Sequence, residues 1–251
     1  MPKPLEKAYI YGKNALMEAL ESAPQVIKRV HLSPDVSDAA LRSKLKQRGI
    51  PVSELKAGEA NRKVGDDKTH QGVIAVVDTG LLVRSFDDFI RELTPTKATA
   101  LAVLGEVQDP HNVGAIIRSA AAFGLAGVLI PEHNQAQVTG TVVKTSAGMA
   151  FRIPLVSIGN VNTTLRTLKD KGFWIYGLAM DGEQIQNENF DAPAVFVFGN
   201  EGDGIREKTL ETCDITLSIP MHPRTESLNV AVSAGIVFHA WSGKHPHALR
   251  A

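Results

Sequence analysis

The chain has 251 residues, 43% hydrophobic and 22% charged, which excludes the disordered and fibrous classes and leaves room for one large domain or two small ones. Its single cysteine, Cys213, excludes an intramolecular disulfide and a thiolate metal cluster, and no window approaches the ~20 apolar residues of a membrane span. The formal net charge is zero, so the whole-chain balance is not that of a strongly basic nucleic-acid binder. Residues 1–77 nevertheless carry 13 Lys/Arg against 9 Asp/Glu, and residues 78–251 carry 14 against 18. The N-terminal excess can form a local basic face or a normally solvated surface. The segment MPKPLEKAYIYG has no apolar run of signal length, so a soluble cytoplasmic protein is expected.

From the N-terminus, a short strand or turn at AYIYG precedes a helix over 13–22. VIKRVHLS (26–33) reads as a strand. SDAALRSKLKQRG (37–49) reads as a helix that starts near a serine cap and stops at Gly49. A loop-helix region over 51–65 leads to the apolar strand GVIAVVD (72–78). Residues 1–78 thus form a small α/β unit. Residues 79–97 read as a linker, with one amphipathic helix in LLVRSFDDFIREL and a break at Pro95. A second domain, 98–251, then alternates strand and helix. Strands are expected at 99–107, 127–132, 154–159, 173–180, 193–201 and 214–221, with helices at 112–124, 139–151, 162–172 and 228–241. This rhythm implies an α/β fold with a mostly parallel sheet covered on both faces. The tail GKHPHALRA reads as a frayed terminus.

Several chemistries are excluded by their missing motifs. There is no GxGxxG, no GxxxxGK[ST], no HExxH, no paired CxxC and no GxSxG. Rossmann dehydrogenases, P-loop NTPases, zinc sites and serine hydrolases of the usual patterns are therefore set aside. Three Asn/Gly/Glu-rich segments remain, each beside an apolar run: 109-DPHNVGAIIRSAAAFG-124, 195-VFVFGNEGDG-204 and 219-IPMHPRTESLNVAVSAG-235. Strand-end loops of parallel sheets are where ligands bind, so three of them suggest one composite site. The Asn112 amide can either cap a helix or hold a ligand. Arg118, in an Ala/Ile-rich helix, needs a partner: a structural ion pair, or a phosphate or carboxylate that matches its planar fork. Glu201 directly follows a strand, in a loop whose glycines permit a tight path. Ser227 can cap the helix that follows it, and Asn229 stands at that helix's start.

These segments closely resemble the three motifs of the SpoU/TrmH family of RNA 2'-O-methyltransferases, within the SPOUT superfamily. The first motif reads DPHNVGAIIRSAAAFG, the second FGNEGDG, and the third IPM followed by SLNV and a small-residue helix. The three in order, with matching spacing, are far more specific than any one alone. IYGKNALMEAL, the nearby strand VIKRVHLS and the HQGVIAVV segment are similar to the substrate-binding domain of the RlmB-like rRNA guanosine methyltransferases, which resembles ribosomal proteins that hold kinked RNA. The resemblance spans nearly the whole chain.

The resemblance implies a C-terminal SPOUT domain with a deep trefoil knot, a feature that general connection rules disfavour and that no strand pattern derives. It also implies a homodimer through the knotted domain and S-adenosyl-L-methionine as co-substrate, with no metal. Leu178, Ala179, Gly199, Ile219, Met221 and Leu228 match the cofactor positions. Asn112, Arg118, Glu201, Ser227 and Asn229 match the catalytic ones, with Glu201 expected to pair with Arg118. The family's proposed base is Arg118. Free arginine stays protonated, so positioning of a phosphate is an equal reading. The pattern departs from the family at Pro223, where a glycine is common, and a reshaped loop is expected there.

The activity expected is methyl transfer to a ribose 2'-hydroxyl of large-subunit rRNA at a guanosine. Alternatives are a tRNA 2'-O-methyltransferase, a resistance enzyme acting on an rRNA adenosine, and a non-catalytic RNA-binding assembly factor. Tyr9 and Tyr11 are candidates for base stacking or for packing.

Overall fold

A computed structural model describes residues 7–56 and 70–250. Residues within the expected loop-helix region over 51–65 lie outside the described set from 57 onward. The chain divides into two compact units, 1–83 with 138–152, and 84–137 with 153–251.

The first unit holds a four-stranded sheet of β1 (Lys7–Tyr11), β2 (Ile27–Leu32), β3 (Val52–Glu54) and β4 (Val73–Asp78), in the order β1-β4-β2-β3. β4 pairs antiparallel with β1 and β2, while β2 and β3 run parallel. Helices α1 (Lys13–Ser22) and α2 (Ala39–Gln47) contribute Leu16, Ala19, Leu20, Leu41 and Leu45 to the core. The α2 cap is Asp38, not the expected serine: its carboxylate accepts from Leu41 N at 2.9 Å. Tyr9 and Tyr11 pack against Leu55 and Ile74, and the Lys144 ammonium lies 4.8 Å from the Tyr11 ring centre. Both tyrosines thus have packing roles. The expected helix over 139–151 is broken. It forms α5 (Gly140–Thr145) and a separate 3-10 turn, Met149–Phe151. Ala147 and Gly148, with φ of 51° and 83°, cannot continue a right-handed helix.

The second unit carries a seven-stranded sheet ordered β11-β9-β10-β6-β7-β8-β5. Its strands are β5 (Val83–Ser85), β6 (Ala100–Leu104), β7 (Gly127–Pro131), β8 (Leu155–Ile158), β9 (Trp174–Gln184), β10 (Ala194–Phe198) and β11 (Ile215–Ser218). The ladders β11/β9, β9/β10, β10/β6, β6/β7 and β7/β8 are all parallel. This is the mostly parallel α/β sheet expected. Every residue of β6, β7 and β10 is buried, which is why these strands read as unbroken apolar runs and not as alternating ones. On one face Leu101, Val103, Val195 and Val197 meet Leu165 and Leu168 of α6 (Val161–Asp170). Phe196 and Phe198 stack edgewise or tilted on Phe238 of α8 (Val230–Lys244). The helix α4 (Pro110–Ala122) packs along α8.

The helix expected in LLVRSFDDFIREL is shorter than that segment. Val83–Ser85 adds an edge strand, and only Phe86–Glu92 is helical (α3). Ser85 caps α3, accepting from Asp88 N. A short helix, α7 (Glu207–Leu210), escaped the sequence reading. The expected frayed tail includes a 3-10 turn over Pro246–Arg250. No helix among the described residues is long and apolar enough to cross a membrane.

Candidate active site

Three loops leave the carboxyl ends of β6, β10 and β11, where parallel sheets place their sites. The first two are drawn together at Gly105, whose N–H donates to Phe198 O at 2.6 Å. A Cβ on Gly105 would lie 2.8 Å from that same oxygen, so only glycine admits the approach. Asp109 then caps α4 by accepting from His111 N at 2.8 Å, with Pro110 in the first turn. The helix therefore starts earlier than the sequence reading has it, and Asn112 is not a cap. It sits inside the first turn, with 8% of its surface exposed.

Burial obliges the Asn112 amide to find partners at both ends. Its Nδ2 donates to Glu201 Oε1 at 3.0 Å, and its Oδ1 accepts from Asn229 Nδ2 at 2.9 Å. The Glu201 carboxylate also accepts from the backbone N–H groups of Gln108, at 3.1 Å, and Asp109, at 3.0 Å. Asn229 Oδ1 in turn caps α8, accepting from Ala231 N at 2.8 Å and Val232 N at 3.3 Å. The cap of α8 is thus Asn229 and not Ser227. One hydrogen-bonded line, Glu201–Asn112–Asn229, ties all three loops together.

Partial burial raises the pKa of Glu201, but the Asn112 amide and the Asp109 and Gln108 N–H groups stabilise the charged form. The net position is below the ordinary value of 4.5. Glu201 is therefore a carboxylate at neutral pH, with its lone pairs engaged by three donors. Its partners are amides, and the expected pairing with Arg118 is not formed.

The Glu201 loop is itself a tight turn. Asn200 and Gly204 exchange N–H···O bonds of 2.9 and 3.0 Å, and Asn200 Oδ1 accepts from Gly202 N at 2.8 Å. A Cβ on Gly199 would fall 2.0 Å from the Gly204 carbonyl carbon, which fixes glycine at that position. In the third loop, Thr225 N donates to His222 O at 3.0 Å. Pro223 occupies the second position of this turn, where its fixed φ is favoured and no backbone donor is needed. The departure at Pro223 is thus accommodated by a reverse turn.

A cleft of about 480 Å³ lies among these loops. Leu178, Ala179, Gly199, Ile219, Met221 and Leu228 all line it, and so do Glu201, Ser227 and Asn229. Apolar walls with a few polar groups at one side suit a ligand with a flat ring and a polar tail, and the volume is in the usual range for such sites. The residues present therefore fit S-adenosyl-L-methionine, with Gly199 allowing close backbone approach. Asn112 borders the cleft through its bonds to Glu201 and Asn229.

Arg118 is not brought into this group. It lies on the exposed side of α4 and makes no hydrogen bond or ion pair among the described residues. Of the two readings of Arg118, the structural ion pair is not formed, because the side chain is solvated and a solvated guanidinium has no burial penalty to offset; the phosphate or carboxylate reading stays open. Sequence reasoning missed Gln108, whose contribution is a backbone N–H that carries no side-chain signal, and Ser233, which also lines the cleft. Among the described residues no three His, Cys, Asp or Glu side chains cluster as metal ligands.

Comparison with known proteins follows the same outline. A family model described as the SpoU rRNA Methylase family matches residues 99–239, and one described as RNA 2'-O ribose methyltransferase substrate binding matches residues 9–79. A protein of Neisseria meningitidis serogroup B, named 23S rRNA (guanosine-2'-O-)-methyltransferase RlmB, is 36% identical over 231 residues, covering 91% of this chain and 92% of that one. The protein of the same name from Photobacterium profundum is 38% identical over 236 residues, covering 90% and 94%. The solved structure of an AdoMet-bound rRNA methyltransferase from Sinorhizobium meliloti shares the fold, with a TM-score of 0.80 at 22% identity, over 95% of this chain and 87% of that one. With a family model over more than half its length and relatives this similar end to end, the chain belongs to the SpoU rRNA methylase family.

Proposed function

We propose that this protein transfers the methyl group of S-adenosyl-L-methionine to the ribose 2'-hydroxyl of a guanosine in 23S rRNA. The observation that carries the reading is the line Glu201–Asn112–Asn229 beside a cleft whose walls include all six expected cofactor residues. The named activity of relatives that align over nine tenths of the chain supplies the substrate.

When bound, the cofactor supplies an electrophilic methyl on a sulfonium. Leu178, Ala179, Ile219, Met221 and Leu228 would hold its apolar parts, and the Gly199 backbone would lie against it. A ribose hydroxyl is a weak nucleophile, so the chain must orient it and ease loss of its proton. Glu201 is an anchor and not the base, because its carboxylate already accepts three N–H groups and its pKa is lowered. Asn112 transmits that anchor to Asn229. Ser227, at the cleft, is placed to meet the ribose. Arg118, solvated and without an internal partner, is available to the RNA: its guanidinium would position the phosphate beside the target ribose and stabilise the developing alkoxide as the hydroxyl proton passes to solvent.

The same reading assigns residues 1–78 to RNA substrate binding, residues 79–97 to the connection that also supplies edge strand β5 and α3, and residues 98–251 to a knotted methyltransferase domain. It makes the enzyme a homodimer through that domain, working in the cytoplasm on rRNA or its assembly precursor. Val232 and Ile236, one turn apart on α8, are 50% and 36% exposed, which supports an apolar face for a second copy.

The test is transfer of labelled methyl to 23S rRNA lacking its native modifications, with the labelled ribose then mapped by nuclease digestion and mass spectrometry. Label on one guanosine is expected. Label on tRNA or on an adenosine would replace the substrate assigned here, and no label on any RNA despite cofactor binding would remove the enzyme reading.

A further inference from the structure

Glu106 lies between β6 and the first motif, and no part of the functional reading so far uses it. Three observations single it out. Its φ is 70°, in the left-handed region that favours glycine. Its main-chain carbonyl accepts from Asn200 Nδ2 at 3.1 Å. Its carboxylate accepts from Arg206 Nε at 3.0 Å and Nη2 at 2.8 Å. Asn200 opens the tight turn that carries Glu201, and Arg206 stands just beyond its close, directly before α7. One residue of the first loop thus grips both ends of the second.

This arrangement is poorly suited to adding stability. The Arg206 side chain is 70% exposed and that of Glu106 24%, and an ion pair so open to solvent contributes little. The left-handed backbone of Glu106 works against folding. Strained backbone that persists because its contacts over-determine it points to a geometric task. The geometry concerned is that of Glu201, whose bonds to Gln108 N, Asp109 N and Asn112 Nδ2 all cross between the same two loops.

We propose that Glu106 is a positioning residue for methyl transfer, setting the Glu201 turn against the first loop through Asn200 and Arg206. The proposal rests on the methyltransferase reading above. It acts at one remove: Glu106 fixes the turn, the turn fixes Glu201, and Glu201 fixes Asn112 and the rim of the cleft.

Glu106→Gly separates this role from a structural one, because glycine accepts the left-handed backbone and removes only the carboxylate. In the RNA-free protein, hydrogen exchange of the amides in 199–205 should quicken while the melting temperature holds or rises. In the methyl-transfer assay, kcat should fall by about tenfold to a hundredfold with KM for RNA and cofactor unchanged, the signature of a small misplacement. Arg206→Gln should give the same fall, and the double variant should be no slower than either single, since one clamp is lost once. Glu106→Gln, which keeps an acceptor, should lie between.

Wild-type exchange and wild-type kcat in Glu106→Gly would overturn the proposal. So would an Arg206→Gln variant that raises KM for RNA and spares kcat, which would assign Arg206 to the RNA. If the wild-type enzyme itself transfers no methyl, the functional reading fails, and the exchange measurement still decides the clamp.

Discussion

Asn112 and Arg118 lie six residues apart on α4 and occupy opposite physical surroundings. Asn112 is 8% exposed and fully engaged, with its amide nitrogen on Glu201 and its amide oxygen on Asn229. Arg118 is exposed and engages no other described residue by hydrogen bond or ion pair. One helix therefore presents a residue that organises the protein and a residue left over for something outside it. The polar network at the cleft is complete without Arg118, so a role for Arg118 must be sought in the substrate or in a second copy of the chain.

The largest expected effect follows from that contrast. Arg118→Ala should lower kcat/KM by about a hundredfold or more, the scale of losing one charge-stabilising donor, and leave thermal stability within about 0.5 kcal/mol, as surface substitutions do. Comparing the melting curve with the transfer rate of the same preparation checks it. A parallel loss of stability would mean that Arg118 has a structural partner.

Next comes the apolar face on α8 alongside. Val232→Asp should convert the proposed dimer to a monomer in sedimentation velocity and reduce activity with it. Retention of the dimer would move the interface elsewhere and leave Arg118 to the RNA alone.

Asn112→Ala should differ from Arg118→Ala by losing stability as well as activity. It strands partners on Glu201 and Asn229 and should cost about 1–3 kcal/mol in stability, with activity falling as the loops lose register. Urea titration with an unchanged m-value would read this directly.

The smallest effect is in pH. The folded pKa of Glu201 is lowered, so its contribution to stability is fully present above the unfolded value. It is lost as pH falls below about 4.5 through the folded pKa. Glu201→Gln should flatten that acid limb of the stability curve. An unchanged limb would mean that the carboxylate is not held as described.

The sequence made the parallel sheet legible because β6, β7 and β10 are buried throughout and read as apolar runs, and it made the three loops legible because segments rich in Gly, Asn and Glu follow β6, β10 and β11. It misplaced what depends on backbone conformation. Asn112 and Ser227 both carry cap chemistry, but Asp109, marked by the Pro110 that follows it at the first helical position, and Asn229 take those positions. Ala147 has no sequence mark of a left-handed residue, so the helix over 139–151 reads as unbroken. Glu106 is the same case: a glutamate in a glycine's conformation, held by partners about a hundred residues away. The surroundings of Arg118 were misjudged because the apolar residues beside it on α4 belong to the buried face, and the side chain itself points to the other.

The most direct measurement is single-turnover methyl transfer to unmodified 23S rRNA by the wild-type protein and by Arg118→Ala, with the melting temperature of each recorded. The account predicts label on one guanosine 2'-oxygen, transfer reduced by about a hundredfold or more in the variant, and equal melting temperatures. Transfer undiminished in Arg118→Ala would contradict it, since the one exposed cation of the first motif would then have no part in the chemistry.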